Sequence, residues 1–187
     1  MRNRMARLGG AGFALAFAIC AARASAGEVL VEGGAAGVGS TWKDDGGAVG
    51  QLRVGWRFAR IVSVDAFGRL GYAAVDQRML TGVGLGMTAW LPLPKVRPFA
   101  RFGIVHQHEE SVPAMGGDVF GALVGVGDGI RHRGGVTFGV GVDYPFAKTG
   151  AVEWLAGADF GATYFTDTRG PQWYLGGGLH VGFAWSV

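Results

Sequence analysis

From Gln51 to Phe58 the chain reads Gln, Leu, Arg, Val, Gly, Trp, Arg, Phe, so Leu52, Val54, Trp56 and Phe58 share one face of an extended segment. Gln51, Arg53 and Arg57 share the other, an alternation that a helix would scatter around its circumference. The same period of two recurs at Val62, Val64, Ala66, Leu70 and Tyr72 against Ser63, Asp65 and Arg69, and at Val83, Leu85, Met87, Ala89 and Leu91. It returns at Val96, Ala100, Phe102 and Ile104 against Arg97 and Arg101, and at Val136, Phe138, Val140, Val142 and Tyr144 against Asp143. Val152, Trp154, Ala156, Ala158 and Phe160 oppose Glu153 and Asp159, and Leu179, Val181, Phe183, Trp185 and Val187 oppose His180. With a glycine-diluted first segment between Val29 and Trp42, the pattern predicts eight strands.

Connections alternate between short and long, as a membrane barrel requires when its two rims face different compartments. The short ones are Ala59-Arg60, Pro92 to Lys95 and Phe146 to Gly150. The long ones are Lys43 to Gly47, Ala74 to Arg78, His106 to Gly134 and Phe165 to Pro171. Val119 to Ile130 has the makings of a further strand, but nine strands would leave the chain ends on opposite sides of the membrane. It is read as part of a long outer loop, with a ten-strand barrel left open.

The faces distinguish lipid from water. A soluble lipocalin-like barrel turns polar residues outward, whereas here the ionic residues occupy the minority face. Arg53, Arg57, Arg69, Arg97 and Arg101 stand against Asp65, Asp143, Glu153 and Asp159, with His180 beside them. Near balance of sign suits a self-plugged lumen, because an unpaired buried ion costs several kcal/mol; an open pore would show one dominant sign. Trp42, Trp56, Trp90, Trp154, Trp173 and Trp185 all fall near strand ends, where a membrane places aromatic girdles. Glycines such as Gly82, Gly84 and Gly86 on the inner face leave space for long arginines.

The N-terminus changes the charge picture. Arg2, Arg4 and Arg7 precede an apolar run from Leu8 to Ala22 and the small-x-small triplet Ala24-Ser25-Ala26, so residues 1–26 read as a cleaved signal peptide and 27–187 as the mature barrel. The run is short of the roughly 20 residues of a spanning helix. Four of the 17 basic residues leave with this segment, and the remaining 13 face all 14 acidic ones. Nothing then suggests a nucleic-acid partner, which would need a clustered basic face. The single cysteine, Cys20, also leaves, which removes disulfides and thiolate metal sites; Ile19 before it is not the small residue a lipidated cysteine wants.

Taken together, the leader, the hairpin rhythm and the closing strand LHVGFAWSV resemble the small eight-stranded outer-membrane barrels of the OmpA/OmpX type. The resemblance covers the whole mature region. It implies an all-β, antiparallel up-and-down transmembrane barrel in the bacterial outer membrane, with the segment Leu179 to Val187 addressed to the outer-membrane assembly machinery. It departs at the end, where Ser186 and Val187 stand in place of a terminal aromatic. Location and fold follow from such a likeness more firmly than function.

The one polar cluster with chemical promise is His106-Gln107-His108-Glu109-Glu110-Ser111, facing Arg131-His132-Arg133 across the long loop. On a continuing strand His106, His108 and Glu110 point to one side, a set able to ligate a divalent metal. His108 as base, Glu110 as orienting group and Ser111 as nucleophile would follow triad logic, with the acyl hydrolases among outer-membrane barrels as precedent. A hydrated loop rim is the plain alternative. His180 reads as a satisfied interior histidine, and the Gly-rich runs GVGVGD and GGGLHVGF lack the context of phosphate loops. The expectation is a structural or surface-interaction barrel that needs no cofactor and meets outer-membrane lipids; a lipid-modifying enzyme and a narrow pore remain as alternatives.

Overall fold

In the computed structural model, which describes residues 27–115, 119–127 and 129–187, eight antiparallel strands close on themselves in chain order. They are β1 (Glu28–Ser40), β2 (Gly46–Phe58), β3 (Val62–Ala73), β4 (Arg78–Trp90), β5 (Arg97–Ser111), β6 (Arg131–Thr149), β7 (Val152–Phe165) and β8 (Trp173–Ser186). The alternation sends Leu52, Val54, Leu85, Ile104, Val140 and Leu179 outward, each about half exposed or more. On the opposite face, Arg53, Asp65, Thr88, Asp143 and His180 are buried. The signal-peptide assignment falls on residues outside those described.

Stagger sets the size of the interior. From Leu30 the pairings run through Gly55, Asp65, Gly86, Gly103, Thr137, Thr163 and Tyr174, and Tyr174 returns to β1 at Ser40, ten residues beyond the start. Eight strands closed with a stagger of this order enclose a space that side chains can fill. Two apolar layers lie inside it. Leu30, Trp90, Phe99, Leu155 and Ala184 pack at the end of the short connections, and Phe67, Ala73, Leu80, Val105, Phe165 and Tyr174 pack toward the other. The inner glycines do make room: a Cβ on Gly82 would press on the Arg69 side chain at 3.1 Å, and one on Gly86 on Asp65 at 2.9 Å and Arg53 at 3.2 Å.

Several expected boundaries move. β5 runs on to Ser111 and β6 starts at Arg131, so the long connection is confined to 112–130 and the strands there exceed the ~10 residues that cross a bilayer. Within it, Val119–Val124 forms a short helix, α1, rather than a strand, which decides the count for eight. β6 also extends to Thr149 past a register shift between Pro145 and Ala147, because a bulge accommodates the proline that a regular ladder cannot. Among the described residues no helix is long and apolar enough to cross a membrane, which says nothing about crossing by strands.

Candidate functional site

The lumen is polar at three levels. Nearest the short connections, Arg57 donates to Glu28 at 2.8 Å and Arg97 grips Glu153 through two bonds of 2.6 and 2.9 Å. Across the middle, Arg53 pairs with Asp65, and Arg101 spans Glu32 and Asp159, the latter at 3.0 Å. His180 Nε2 sits 2.7 Å from Asp143, whose other oxygen accepts from Trp90 Nε1 at 2.7 Å. Toward the long loops, Arg133 donates to Glu109 at 2.7 Å and to Asp167 at 2.9 Å, while Tyr174 and Gln107 also donate to Glu109. Arg78 meets Asp45 at 2.5 Å, and Asp45 in turn accepts from the backbone N–H of Val75.

Ring faces complete the shielding. The guanidinium carbons of Arg53, Arg101 and Arg133 lie 4.8, 4.1 and 4.4 Å from the ring centres of Phe67, Phe99 and Phe165. Such stacking compensates desolvation of a cation that cannot lose its proton. In the long-loop region, partial burial pushes the Asp167 carboxyl up, but hydrogen bonds from Arg133 and from the backbone N–H of Arg169 outweigh it and hold it below the usual carboxylate range.

Of the interior residues named from sequence, Arg53, Arg57, Asp65, Arg69, Arg97, Arg101, Asp143, Glu153, Asp159 and His180 all take part in these contacts. Arg69 differs from the others. It reaches the neutral oxygens of Thr163 at 3.1 Å and Gln107 at 2.5 Å, beside a cavity of about 130 Å³. Sequence reasoning missed Glu28, Glu32, Asp45, Arg78, Glu109, Arg133 and Tyr174. Parity was the available signal for Glu109: continuing β5's alternation past Ile104 turns Gln107 and Glu109 inward.

Two tryptophans depart from the girdle. Trp90 is 4 % exposed and points inward, as it must once Leu85, Met87 and Ala89 point out. Trp42 lies in the β1–β2 connection with its ring 4.5 Å from the guanidinium of the buried Arg78, over the barrel mouth. Trp56, Trp154 and Trp185 are exposed at the short-connection rim, and Trp173 at the other, in ring contact with Tyr164.

The histidine-rich rim divides between the two faces of β5. Ser111 pairs with Arg78 and falls on the face opposite to His108 and Glu110, so the proposed serine, base and carboxylate do not form a triad. Glu110 is buried and does not belong to the group of ligating atoms that converges. His132 takes its place: it pairs directly with His108 across β5 and β6, and the ring nitrogens of His106, His108 and His132 lie within 4.8 Å of one another.

Comparison of the whole chain places this architecture. The β-barrel domain at the N-terminus of Pseudomonas aeruginosa OprF superposes with a TM-score of 0.56 at 18% identity, covering 84% of this chain and 97% of that one. Neisserial surface protein A gives a TM-score of 0.56 at 16% identity, covering 86% and 98%. The fold is that of the small outer-membrane barrels. No protein-family model matches the chain. No curated protein matches it in sequence. At these identities the outer-membrane-barrel likeness speaks to fold alone.

Proposed function

We propose that this chain is an outer-membrane barrel with a closed lumen, serving as a structural anchor that presents its long connections for surface interaction. The observation that carries the reading is the layering of the interior: ion pairs at three levels alternate with two apolar layers, leaving the cavity beside Arg69, and the outward face between the aromatic rims is apolar. Lipid is the medium that such an exterior suits, and the balanced interior suits closure rather than selective passage. The absence of a triad on β5 favours this reading over an acyl hydrolase. Leu179 to Val187 is the segment through which the assembly machinery would be engaged.

Two measurements test it. The protein should fractionate with the outer membrane and require detergent for extraction. Reconstituted into planar bilayers, it should show no steady ohmic conductance; a reproducible ion-selective current would overturn the closed lumen, and recovery in the aqueous periplasm would overturn the membrane assignment.

A further inference from the structure

Three histidines gather on the outer wall of the barrel, where neither the lumen nor the lipid-facing band needs them. His106 and His108 are two apart on β5 and therefore share its outward face, and His132 stands directly opposite His108 on β6. His106 Nε2 lies 3.3 Å from His132 Nδ1, and the ring centres are separated by 4.8, 5.5 and 4.7 Å. Two nitrogens bound at 2.0–2.1 Å to a tetrahedral ion stand about 3.3 Å apart, so one pair already has ligand spacing, and a ring nitrogen of His108 lies within 4.8 Å of both.

The surroundings favour coordination over a casual rim contact. Thr81, paired with His108 across β4 and β5, places its hydroxyl 3.5 Å from His108 Nδ1, which leaves Nε2 as the ligating atom. An oriented second nitrogen of this kind is how metal-bound imidazoles are commonly held. Gly125, at φ +76°, passes close enough to the His108 ring that a Cβ there would collide with it, so the backbone just after α1 leans on the site from one side. His106 and His132 are exposed on the other side, leaving a coordination position open outward. Allowing for the stagger between strands, the three rings sit near the height of Tyr72, Tyr164 and Trp173.

The geometry points to a three-histidine site on the outer wall of the barrel, formed by His106, His108 and His132, that binds a zinc-class divalent cation. Three neutral nitrogen donors select zinc, copper or nickel over magnesium or calcium, which prefer oxygen. Binding bridges β5 to β6 beside Gly125 and is independent of whether the lumen is closed.

The test uses the tag-free barrel in detergent micelles, titrated with Zn²⁺ alone in isothermal calorimetry and with Co²⁺ in absorption spectroscopy. The expected result is one Zn²⁺ per chain, retained in excess Mg²⁺, and visible Co²⁺ bands of nitrogen ligation. Loss of an outer-shell partner alone weakens metal sites by about 10–100-fold, so His106→Ala, His108→Ala and His132→Ala should each cost about tenfold or more. Glu110→Gln should bind as the parent does. Because all these side chains lie outside the lumen network, the variants should keep the heat-modifiable mobility of a folded barrel. Absence of stoichiometric binding by the parent, displacement by Mg²⁺, undiminished binding by a folded triple variant, or loss of binding in Glu110→Gln would each overturn the site.

Discussion

Glu109 shows what one carboxylate does in this lumen. It is fully buried and accepts from Arg133, Tyr174 and Gln107, with Arg78 Nε 3.9 Å away, near enough to feel its charge without hydrogen-bonding. Removing it strands Arg133 and brings Arg78 closer to being unpaired, although Asp167 and Asp45 still hold each in part. Breaking a buried pair by deleting one member costs about 3–5 kcal/mol because the survivor stays charged and dry. Glu109→Ala should therefore lower the stability of the barrel in micelles by about that range, read as a shift in its urea unfolding midpoint. Asp167→Ala should cost much less, since that carboxylate is partly solvated. Equal losses would mean that burial is not what gives Glu109 its weight.

Strands were legible where alternation was strong, and the interior was legible with them. Arg53, Arg101, Asp143 and Asp159 could be assigned to one face because Leu52, Phe102, Val142 and Phe160 left no choice. β1 was less clear because its glycines carry no side-chain signal, so Glu28 and Glu32 went unassigned although both are buried partners of arginines. At the long-loop rim the pattern failed for another reason. Past the band in which a membrane barrel meets lipid an outward face need not be apolar, and the polar run His106 to Ser111 reads as loop while the ladder continues through it. The convergence of His132 with His106 and His108 depends on register across a 19-residue connection, which no local pattern encodes. Trp42 and Trp90 were misjudged because proximity to a strand end says nothing about which face a residue takes. The same face logic supports a test at mid-strand. Leu85 is 58 % exposed on β4, and Leu85→Arg should destabilise the folded barrel in bilayers by about 2–4 kcal/mol, the usual cost of arginine at the midplane of a lipid-facing strand. The same change at Val126, 67 % exposed in the outer connection, should cost little; comparable losses would place Leu85 away from lipid.

At the scale of the molecule, the closed lumen we propose rests on barriers in series. A stagger of ten over eight strands fixes an interior narrow enough for side chains to meet across it. Trp90, Phe99 and Leu155 block one end, and the Arg133–Glu109–Tyr174 group with Phe165 blocks the other. Between them lies the cavity of about 130 Å³ beside Arg69. Current through barriers in series is limited by the tightest one, so opening a single end should leave the barrel silent. Trp90→Ala alone, and Glu109→Ala with Arg133→Ala alone, should show no conductance in planar bilayers. Combining the three changes should produce discrete openings, with anion preference because Arg69 lacks a carboxylate hydrogen-bond partner and the wider lumen exposes it. Conductance from Trp90→Ala by itself would mean that the long-loop end is already open and that one apolar layer is the whole plug.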